Sequence, residues 1–533
     1  MIKNISTDVL VIGGGAAALR AAIEAAASGV KVTLVDKGVF GDSGTSPNSL
    51  GGFATLFNKD DTPEKYFSDW LRCSGNICDQ NLVWEAINHS IENVLELEAI
   101  GMEFIKDKNG DRNLYRGAGQ SLARGLTAKY HGGQGPGIIS VLSREVKKRG
   151  VQVFDGIMIT RLFKNRQAVT GAVGVSPAKD LLIFSAKSIV LAAGGANRIY
   201  PQTAYPIINP KYRTTGDGFN LAFEAGIPLI DMEFIQFRDS PPGGARYGGK
   251  YLNSRGERFM ERYDPVALEK APRYRMAEAL YREITGGRGP IIWEVGGIRE
   301  SELEMPIAKD ALKRGKVEIV LDFQRILGGA HINEKTETNL PGLFAAGESS
   351  GGLHGADRMQ GNAFLETQAF GANAGRNAAR RAKSTASMKM DNQQIEDEEA
   401  RLAAIKGKVN PAEVTEAVRN LMWEKVGIVR DDKNLSEAID AFKKIRKEKI
   451  PNLSGNDIFA ALEACNLLRT AEIVARAALT RTETRSSQIR NDYPATDDKN
   501  WKTHVCVTKR GTGLSVSTMP VVVQSKPMAG DSG

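Results

Sequence analysis

The sequence predicts an α/β fold in which an inserted domain interrupts a parallel sheet and a helical domain follows. Three observations support this prediction. Residues 8–36 have the pattern strand, glycine turn, helix and strand, residues 236–325 break that pattern, and the chain from about residue 390 is helical in pattern and strongly charged. The predicted domains are a first domain in two parts at 1–235 and 326–385, an inserted capping domain at 236–325, a helical domain at 390–504 and an irregular tail at 505–533.

The chain begins with one βαβ unit. Its first strand, "DVLVI", is a continuous apolar run typical of a strand buried in a parallel sheet. An alanine-rich segment predicts a helix ending at Gly29, and "VKVTLVDK" predicts a second strand ending near Asp36. Gly13, Gly15 and Ala18 have the G-x-G-x-x-G/A spacing that brings a pyrophosphate to a helix N-terminus, and Asp36 stands where a ribose hydroxyl is bound. The unit therefore predicts dinucleotide binding.

Later segments return to the same sheet and then leave it. "KSIVLAAGGANR" and "LPGLFAAGESS" predict two further strands that run into glycine turns, and "RTTGDGFNLAFEAGIP" between them predicts a turn at Asp217 and a helix ending at Gly226. The inserted domain contains a helical segment, "RMAEALYREI". Further helices are predicted at 411–424, 434–447 and 456–481.

Composition excludes several classes of protein. The chain has 533 residues, 41% hydrophobic and 25% charged, without an apolar run of about eighteen residues or a leader pattern, so we expect a cytoplasmic protein with no direct membrane insertion. Its four cysteines and five histidines are too scattered for a metal or iron–sulfur site. The net charge is +8, but acidic residues alternate with the basic ones, and we expect no nucleic-acid partner.

Five motifs in order, "VIGGGAAALRAA", "VLAAGG", "TTGDGFNLAFEAG", "LPGLFAAGE" and "LHGADRMQGNAF", resemble the flavoprotein subunits of succinate dehydrogenase and fumarate reductase. L-Aspartate oxidase and the adenylylsulfate reductase flavoprotein share this superfamily. The C-terminal segments "MWEKVGIVRDDKNL" and "RTETRSSQIRNDYPATDDKNW" are similar to the same family. The resemblance implies an FAD-dependent reductase or dehydrogenase with an FAD-binding Rossmann-like domain, an inserted α+β capping domain and a C-terminal helical domain.

The resemblance also implies where FAD binds. Thr45 stands where the respiratory enzymes carry a histidine bonded covalently to the flavin, so we expect non-covalent FAD. An alternative for Asp217 and Glu348 is turn or helix-capping chemistry. The predicted cofactor residues on the ADP half are Gly13, Gly15, Ala18 and Asp36, and those on the flavin and its ribityl chain are Asp217, Glu348, Asn362 and Ala363. Further residues predicted to bind FAD are Lys37, Ser43, Gly44, Thr45, Gly51, Gly52, Ala193 and Gly194.

Two arginines match the family's catalytic positions. The resemblance implies that Arg273 is the proton donor or acceptor and that Arg358 binds a substrate carboxylate, a task that suits the bidentate guanidinium. A structural ion pair remains the alternative for either arginine. His131 lies in "KYHGGQGPG" and could supply a proton near neutral pH, although a surface turn histidine is the alternative, and we expect His354 to be structural.

The substrate pocket departs from the family pattern. Arg238 and Gln324 stand where the family has two substrate-binding histidines, and a Thr-Glu pair has no counterpart here. We therefore expect an anionic substrate, of the carboxylate type or another oxidised anion, without a preference for fumarate or succinate. Because the chain has no cysteine cluster, we also expect its partner in a hetero-oligomer to be an iron–sulfur protein.

Three alternatives for the function stay open. An oxidase similar to L-aspartate oxidase would pass electrons to oxygen and need no partner. An enzyme similar to adenylylsulfate reductase would act on a different anion. A flavin electron-transfer subunit would have no substrate of its own, which the replaced histidines favour and the retained Arg273 and Arg358 oppose.

Overall fold

The computed structural model describes residues 2–49, 52–129, 134–201, 214–241, 248–295, 313–386 and 389–524. The strands are β1 (Ile2–Ile12), β2 (Val32–Val35), β3 (Phe53–Ala54), β4 (Leu114–Tyr115), β5 (Gly125–Leu126), β6 (Gln152–Phe154), β7 (Met158–Lys164), β8 (Val169–Val175), β9 (Leu181–Leu191), β10 (Leu229–Ile230), β11 (Ile235–Ser240), β12 (Lys250–Leu252), β13 (Ile291–Glu294), β14 (Lys316–Ile326), β15 (Gly329–His331), β16 (Leu343–Ala345), β17 (Ser350–Gly351), β18 (Val429–Arg430), β19 (Ile489–Arg490), β20 (Thr503–Arg510) and β21 (Gly513–Pro520). The α-helices are α1 (Ala16–Ala27), α2 (Pro63–Cys73), α3 (Gln80–Asn88), α4 (Ser90–Ala99), α5 (Gln134–Lys148), α6 (Asp217–Ala225), α7 (Met260–Tyr263), α8 (Arg273–Glu283), α9 (Asn362–Ser384), α10 (Asn392–Ala403), α11 (Pro411–Lys425), α12 (Asp432–Glu448), α13 (Ile458–Thr480) and α14 (Asp498–Trp501).

The main sheet has seven strands in the order β6-β2-β1-β9-β8-β7, with β16 also paired to β9. The pairs β6–β2, β2–β1, β1–β9 and β9–β16 are parallel, and β7 and β8 are antiparallel additions. Val11 pairs with Leu34 on one side and Val190 on the other, so the apolar run of β1 is central and fully buried. The predicted βαβ beginning is confirmed.

Helices α1 and α9 cover the sheet and lie unusually close together. A Cβ atom on Gly371 would stand 2.8 Å from the carbonyl oxygen of Ala17, and one on Gly375 would stand 2.3 Å from that of Ala21. Small residues on both helices therefore permit this contact. Because α9 follows the "HGADRMQGNAF" motif, the packing places that motif beside the glycine turn that starts α1.

The capping domain is an α+β unit, as predicted. Four antiparallel strands in the order β11-β14-β13-β12 form its sheet, and α8 packs against β11. The register pairs Arg238 with Asp322, and Gln236 with Arg325 at the end that meets the first domain. The sheet therefore points polar side chains toward the junction of the two domains.

The C-terminal helical domain packs α11 and α12 against α13, and the helices predicted at 411–424, 434–447 and 456–481 are confirmed. The irregular tail predicted from residue 505 is wrong for residues 505–520. Strands β20 and β21 form an antiparallel hairpin there, and β20 also pairs with β10. The alternating Val505 and Val507 are fully buried, which explains why this segment adds a strand to a five-stranded sheet.

Within the described part of the chain, none of the helices combines the length and the apolar character that a bilayer-spanning helix needs.

Candidate functional site

A cavity of about 610 Å³ lies where the first domain, the capping domain and α13 meet. Its volume falls in the range of ligand sites. Of the predicted residues, it is lined by Gly13, Gly15, Asp36, Lys37, Ser43, Gly44, Thr45, Gly52, Ala193, Gly194, Asp217, Glu348 and Ala363 from the cofactor set and by Arg238, Arg273, Gln324 and Arg358 from the substrate set.

Two predicted residues, Ala18 and Asn362, do not line the cavity. Ala18 is fully buried inside the packing of α1 and does not line the cavity. Asn362 is also buried, and its side-chain oxygen accepts a hydrogen bond from the Tyr66 hydroxyl at 2.8 Å. Gly51 and His131 lie outside the described residues.

The glycine turn at one end of the cavity is held by close backbone contacts. Gly13 has φ of 123°, and a Cβ there would stand 2.2 Å from the Ala192 carbonyl oxygen. A Cβ on Gly14 would meet the Asp36 carboxylate at 1.9 Å. The turn therefore requires glycine, and it leaves the N-terminus of α1 facing the cavity, where its N–H groups can bind an anion such as a pyrophosphate.

Asp36 directly follows β2 and lies beside this turn. Its carboxylate accepts hydrogen bonds from the Ser43 hydroxyl and, at 3.2 Å, from the Gly38 N–H. Burial raises the pKa of Asp36 despite these donors. The carboxylate retains acceptor capacity toward the cavity, which suits a ribose hydroxyl.

Glu348 faces the cavity from the turn that follows β16. Its Oε1 is buried and has no hydrogen-bond partner among the described residues. Burial raises the pKa of Glu348 to about 7. A buried carboxyl oxygen without a partner needs a hydrogen-bond donor. The hydroxyl groups of a ribityl chain can supply one, so the residues present fit the predicted cofactor.

Lys37 forms an ion-pair cluster beside Asp36, and the cluster includes Asp217, which the sequence predicts on the flavin and its ribityl chain. Its Nζ lies 2.6 Å from Asp217 Oδ2 and 3.0 Å from Glu463 Oε1, and it donates to the Thr215 hydroxyl at 3.1 Å. Burial alone would lower the pKa of Lys37, but the two carboxylates raise it. Glu463 belongs to α13 and is not predicted from the sequence, because a glutamate in a charged helical domain looks like any solvated residue.

The other end of the cavity holds two arginines that share two amide acceptors. The Gln236 side-chain oxygen accepts from Arg358 at 2.9 Å and from Arg273 at 3.4 Å. The Gln324 side-chain oxygen accepts from Arg358 at 3.3 Å and from Arg273 at 3.4 Å. Arg273 comes from the capping domain and Arg358 from the first domain, so the predicted pair is brought together across the domain junction.

Gln236 is itself held by Asp357, to whose Oδ1 its amide nitrogen donates at 2.6 Å. Neither residue is predicted from the sequence. Burial raises the pKa of Asp357, whereas burial and the charge of Arg238 lower the pKa of Arg273. The Nε of Arg238 is buried without a hydrogen-bond partner among the described residues. Three guanidinium groups thus line this end of the cavity, an arrangement suited to an anion.

His354 does not line the cavity. Its Nε2 lies 3.0 Å from Glu366 Oε2, which also pairs with Arg325 at 3.1 Å, and its ring stacks on Trp70. Burial lowers the pKa of His354 to about 4, so the ring is neutral at pH 7. Among the residues with described positions, no histidine lines the cavity.

Comparison with known proteins matches two family descriptions. Residues 8–364 match an FAD binding domain, and residues 415–531 match the C-terminal part of fumarate reductase flavoproteins. A fumarate reductase (CoM/CoB) subunit from Methanothermobacter marburgensis is 36% identical, with 94% of this chain and 97% of that protein covered. An uncharacterized FAD-dependent oxidoreductase of Methanocaldococcus jannaschii is 31% identical, with 94% and 96% covered.

A solved structure agrees in fold. FrdA of the E. coli quinol fumarate reductase has a TM-score of 0.91 and 25% identity, with 99% of both chains covered. The similarity therefore extends over all three domains.

Proposed function

Because this chain belongs to the family of FAD-dependent flavoprotein subunits of fumarate reductases and succinate dehydrogenases, we propose that it is the catalytic subunit that exchanges hydride between FAD and an anionic organic acid. The observation that carries the proposal is the arginine pair at the domain junction. Arg273 of the capping domain and Arg358 of the first domain donate to the same two amide oxygens. A carboxylate placed there would be bound from both sides.

The residues divide the chemistry between them. FAD, when bound, supplies two-electron hydride transfer. Arg358 holds the substrate carboxylate with its planar guanidinium, and Gln236 and Gln324 fix the orientation of both arginines. Arg273 moves the proton, a role supported by its lowered pKa, since burial makes its guanidinium a better acid than an exposed one.

The proposed substrate class is an anionic organic acid, without a preference for fumarate or succinate. Arg238 and Gln324 provide a fixed positive charge and an amide at the two positions where the family resemblance expects imidazoles. No histidine of the described residues lines the cavity, so we expect that any pH dependence of anion binding near neutrality does not come from an imidazole. C4 dicarboxylates and other unsaturated or saturated carboxylates are all candidates for this pocket.

Electrons pass to or from an iron–sulfur protein in this proposal. The chain's cysteines are scattered through the sequence, and similar proteins are named as subunits. An oxidase without a partner is the alternative, and rapid reoxidation of the reduced flavin by air with peroxide formation distinguishes it. A carrier subunit without substrate is favoured by the replaced histidines alone.

The substrate test uses the purified flavoprotein and a panel of unsaturated and saturated organic acids, with adenylylsulfate included. We expect at least one anion to bleach the oxidised flavin or reoxidise the reduced flavin. No spectral response to any anion, together with normal reduction by a low-potential ferredoxin, would contradict the catalytic proposal and support the carrier.

The proton test replaces Arg273 by Lys. We expect turnover to fall by about 10³-fold with FAD still bound, because the flexible lysine ammonium does not hold a proton at the position fixed by the planar guanidinium. Arg275→Lys, on the same helix but paired with Glu278 at its surface, is the matched control and should keep its activity. Equal turnover of the two variants would move the proton role to another residue.

A further inference from the structure

The C-terminal helical domain reaches the cavity through one stripe of α13. Phe459 and Glu463 line the cavity, and Asn466 and Thr470 follow them on the same helix. The spacing of four, three and four residues places these side chains in a row along one side of a helix. The stripe is therefore a continuous contact surface, although the surrounding helices are rich in solvated charge.

Three members of the stripe meet the first domain through polar contacts. Glu463 pairs with Lys37 at 3.0 Å, and Asn466 donates to Asp217 Oδ1 at 2.9 Å. Thr470 accepts from the Asn220 amide at 3.1 Å. The contacts converge on the first turn of α6 and on Lys37, which directly follows Asp36.

The stripe ends in an apolar slot. Phe459 lines the cavity together with Met158 and Ile159 of β7 and Leu221 of α6. This slot lies near Asp36, since the Ile157 N–H, next to Met158, donates to the Asp36 carbonyl oxygen at 3.0 Å. The flat aromatic faces of an adenine ring can pack between such side chains.

We propose that the helical domain completes the FAD site: Phe459 and Glu463 of α13 close the ADP half of the cavity, and the Lys37–Asp217–Glu463 cluster couples retention of FAD to docking of α13. Binding of FAD and ordering of α13 against the first domain are then one event. The proposal rests on FAD binding and not on the identity of the substrate.

The test measures FAD release from the full-length holoprotein by the recovery of free flavin fluorescence, without substrate. We expect Glu463→Gln to release FAD at least about tenfold faster, because truncating one member of a buried charge pair acts mainly on dissociation. Glu472→Gln is the matched control, since Glu472 is a buried glutamate on the same helix that pairs with Arg446 and Arg476 outside the cavity. It should release FAD at the wild-type rate.

A second measurement needs no variant. Hydrogen exchange of the full-length chain, with and without FAD, should show that FAD protects the amides of residues 459–470 while the exposed face of α12 does not change. Release from Glu463→Gln within twofold of wild type, or equal protection of residues 459–470 in both states, would overturn the proposal. Because neither experiment involves an organic acid, failure of the substrate proposal leaves both outcomes readable.

Discussion

Glu348, which is half-buried with its Oε1 atom inaccessible, and the buried His354 have pKa values shifted in opposite directions by the same cause. Burial disfavours the charged form of each, so the pKa of Glu348 rises to about 7 and that of His354 falls to about 4. Glu348 therefore carries its proton in mildly acidic solution, and His354 stays neutral. The carboxyl group is the one of these two that titrates near physiological pH.

This shift predicts a pH effect on the stability of the FAD-free protein. The folded pKa of Glu348 exceeds its ordinary value of 4.5, so the unfolded chain loses the proton first as pH rises, and stability falls between about pH 4.5 and pH 7. Glu348→Gln removes this contribution. We expect its melting temperature to exceed that of wild-type apoprotein by roughly 2–5 °C at pH 8 and to equal it near pH 4.5, measured by thermal unfolding. A difference independent of pH would contradict the assignment to Glu348.

His354 predicts the opposite dependence. Because its folded pKa lies below the ordinary 6.5, the unfolded chain takes up a proton first, and stability is lost as pH falls from about 6.5 to about 4. His354→Asn should reduce the fall of the melting temperature between about pH 6.5 and pH 4, while FAD content at pH 7 stays unchanged. If the melting temperature of the variant falls with pH as steeply as that of the wild type, another group controls this dependence.

The sequence predicts the residues whose chemistry depends on a local motif and misses those that depend on distant partners. Arg273 and Arg358 are predictable from motifs, but their meeting through Gln236 and Gln324 requires strands β11 and β14 to face α8. Asp357 and Glu463 are missed for the same reason. Their roles arise only when chain segments more than a hundred residues apart are brought into contact.

At the scale of elements, the turn between β1 and α1 depends on one backbone conformation with no free space. Gly13 combines φ of 123° with a backbone carbonyl, that of Ala192, whose oxygen would lie 2.2 Å from any Cβ placed there. Gly29, at the end of α1, has φ of 76° and open space around it. Gly13 therefore has both a conformational and a steric requirement for glycine, whereas Gly29 has only the conformational one.

We expect Gly13→Ala to cost about 3 kcal/mol or more and to lose FAD, because both strain and a backbone clash oppose it. Gly29→Ala is the matched control and should cost about 1 kcal/mol with FAD retained, since it meets only the strain of the left-handed conformation. Thermal unfolding and the ratio of flavin to protein absorbance measure both effects. Equal losses of stability and of bound FAD in the two variants would mean that the backbone at Ala192 moves to relieve the clash.

Element prediction succeeds where hydrophobic periodicity is strong. The βαβ beginning, the helix of the capping domain and the three long C-terminal helices all follow from apolar spacing. The hairpin of β20 and β21 is not predicted because only β20 is well buried, and the apolar alternation of β21 is limited to Leu514 and Val516. Its place in a sheet depends on the tertiary contact between β20 and β10.

For the whole molecule, the lining of the cavity by Thr45 bears on how FAD is held. Thr45 lies in the cavity wall, and its hydroxyl accepts from Asn197 at 3.4 Å. A threonine hydroxyl offers no covalent link of the kind that a histidine makes, so we expect the flavin to be bound by contacts alone. Acid precipitation should leave the yellow colour in the supernatant. Colour retained in the pellet would contradict this expectation.

The last parallel strand of the main sheet comes late in the sequence. Strand β16 pairs Phe344 with Val190 of β9, and α13 adds its contacts only after residue 459. During translation, which proceeds from the N-terminus, the first two hundred residues leave the ribosome before the strand and helix that complete their neighbours exist. In a nascent chain, residues 189–191 of β9 therefore lack their β16 neighbour until residue 345 has been synthesised, and this part of the sheet is completed only after more than half of the polypeptide has emerged.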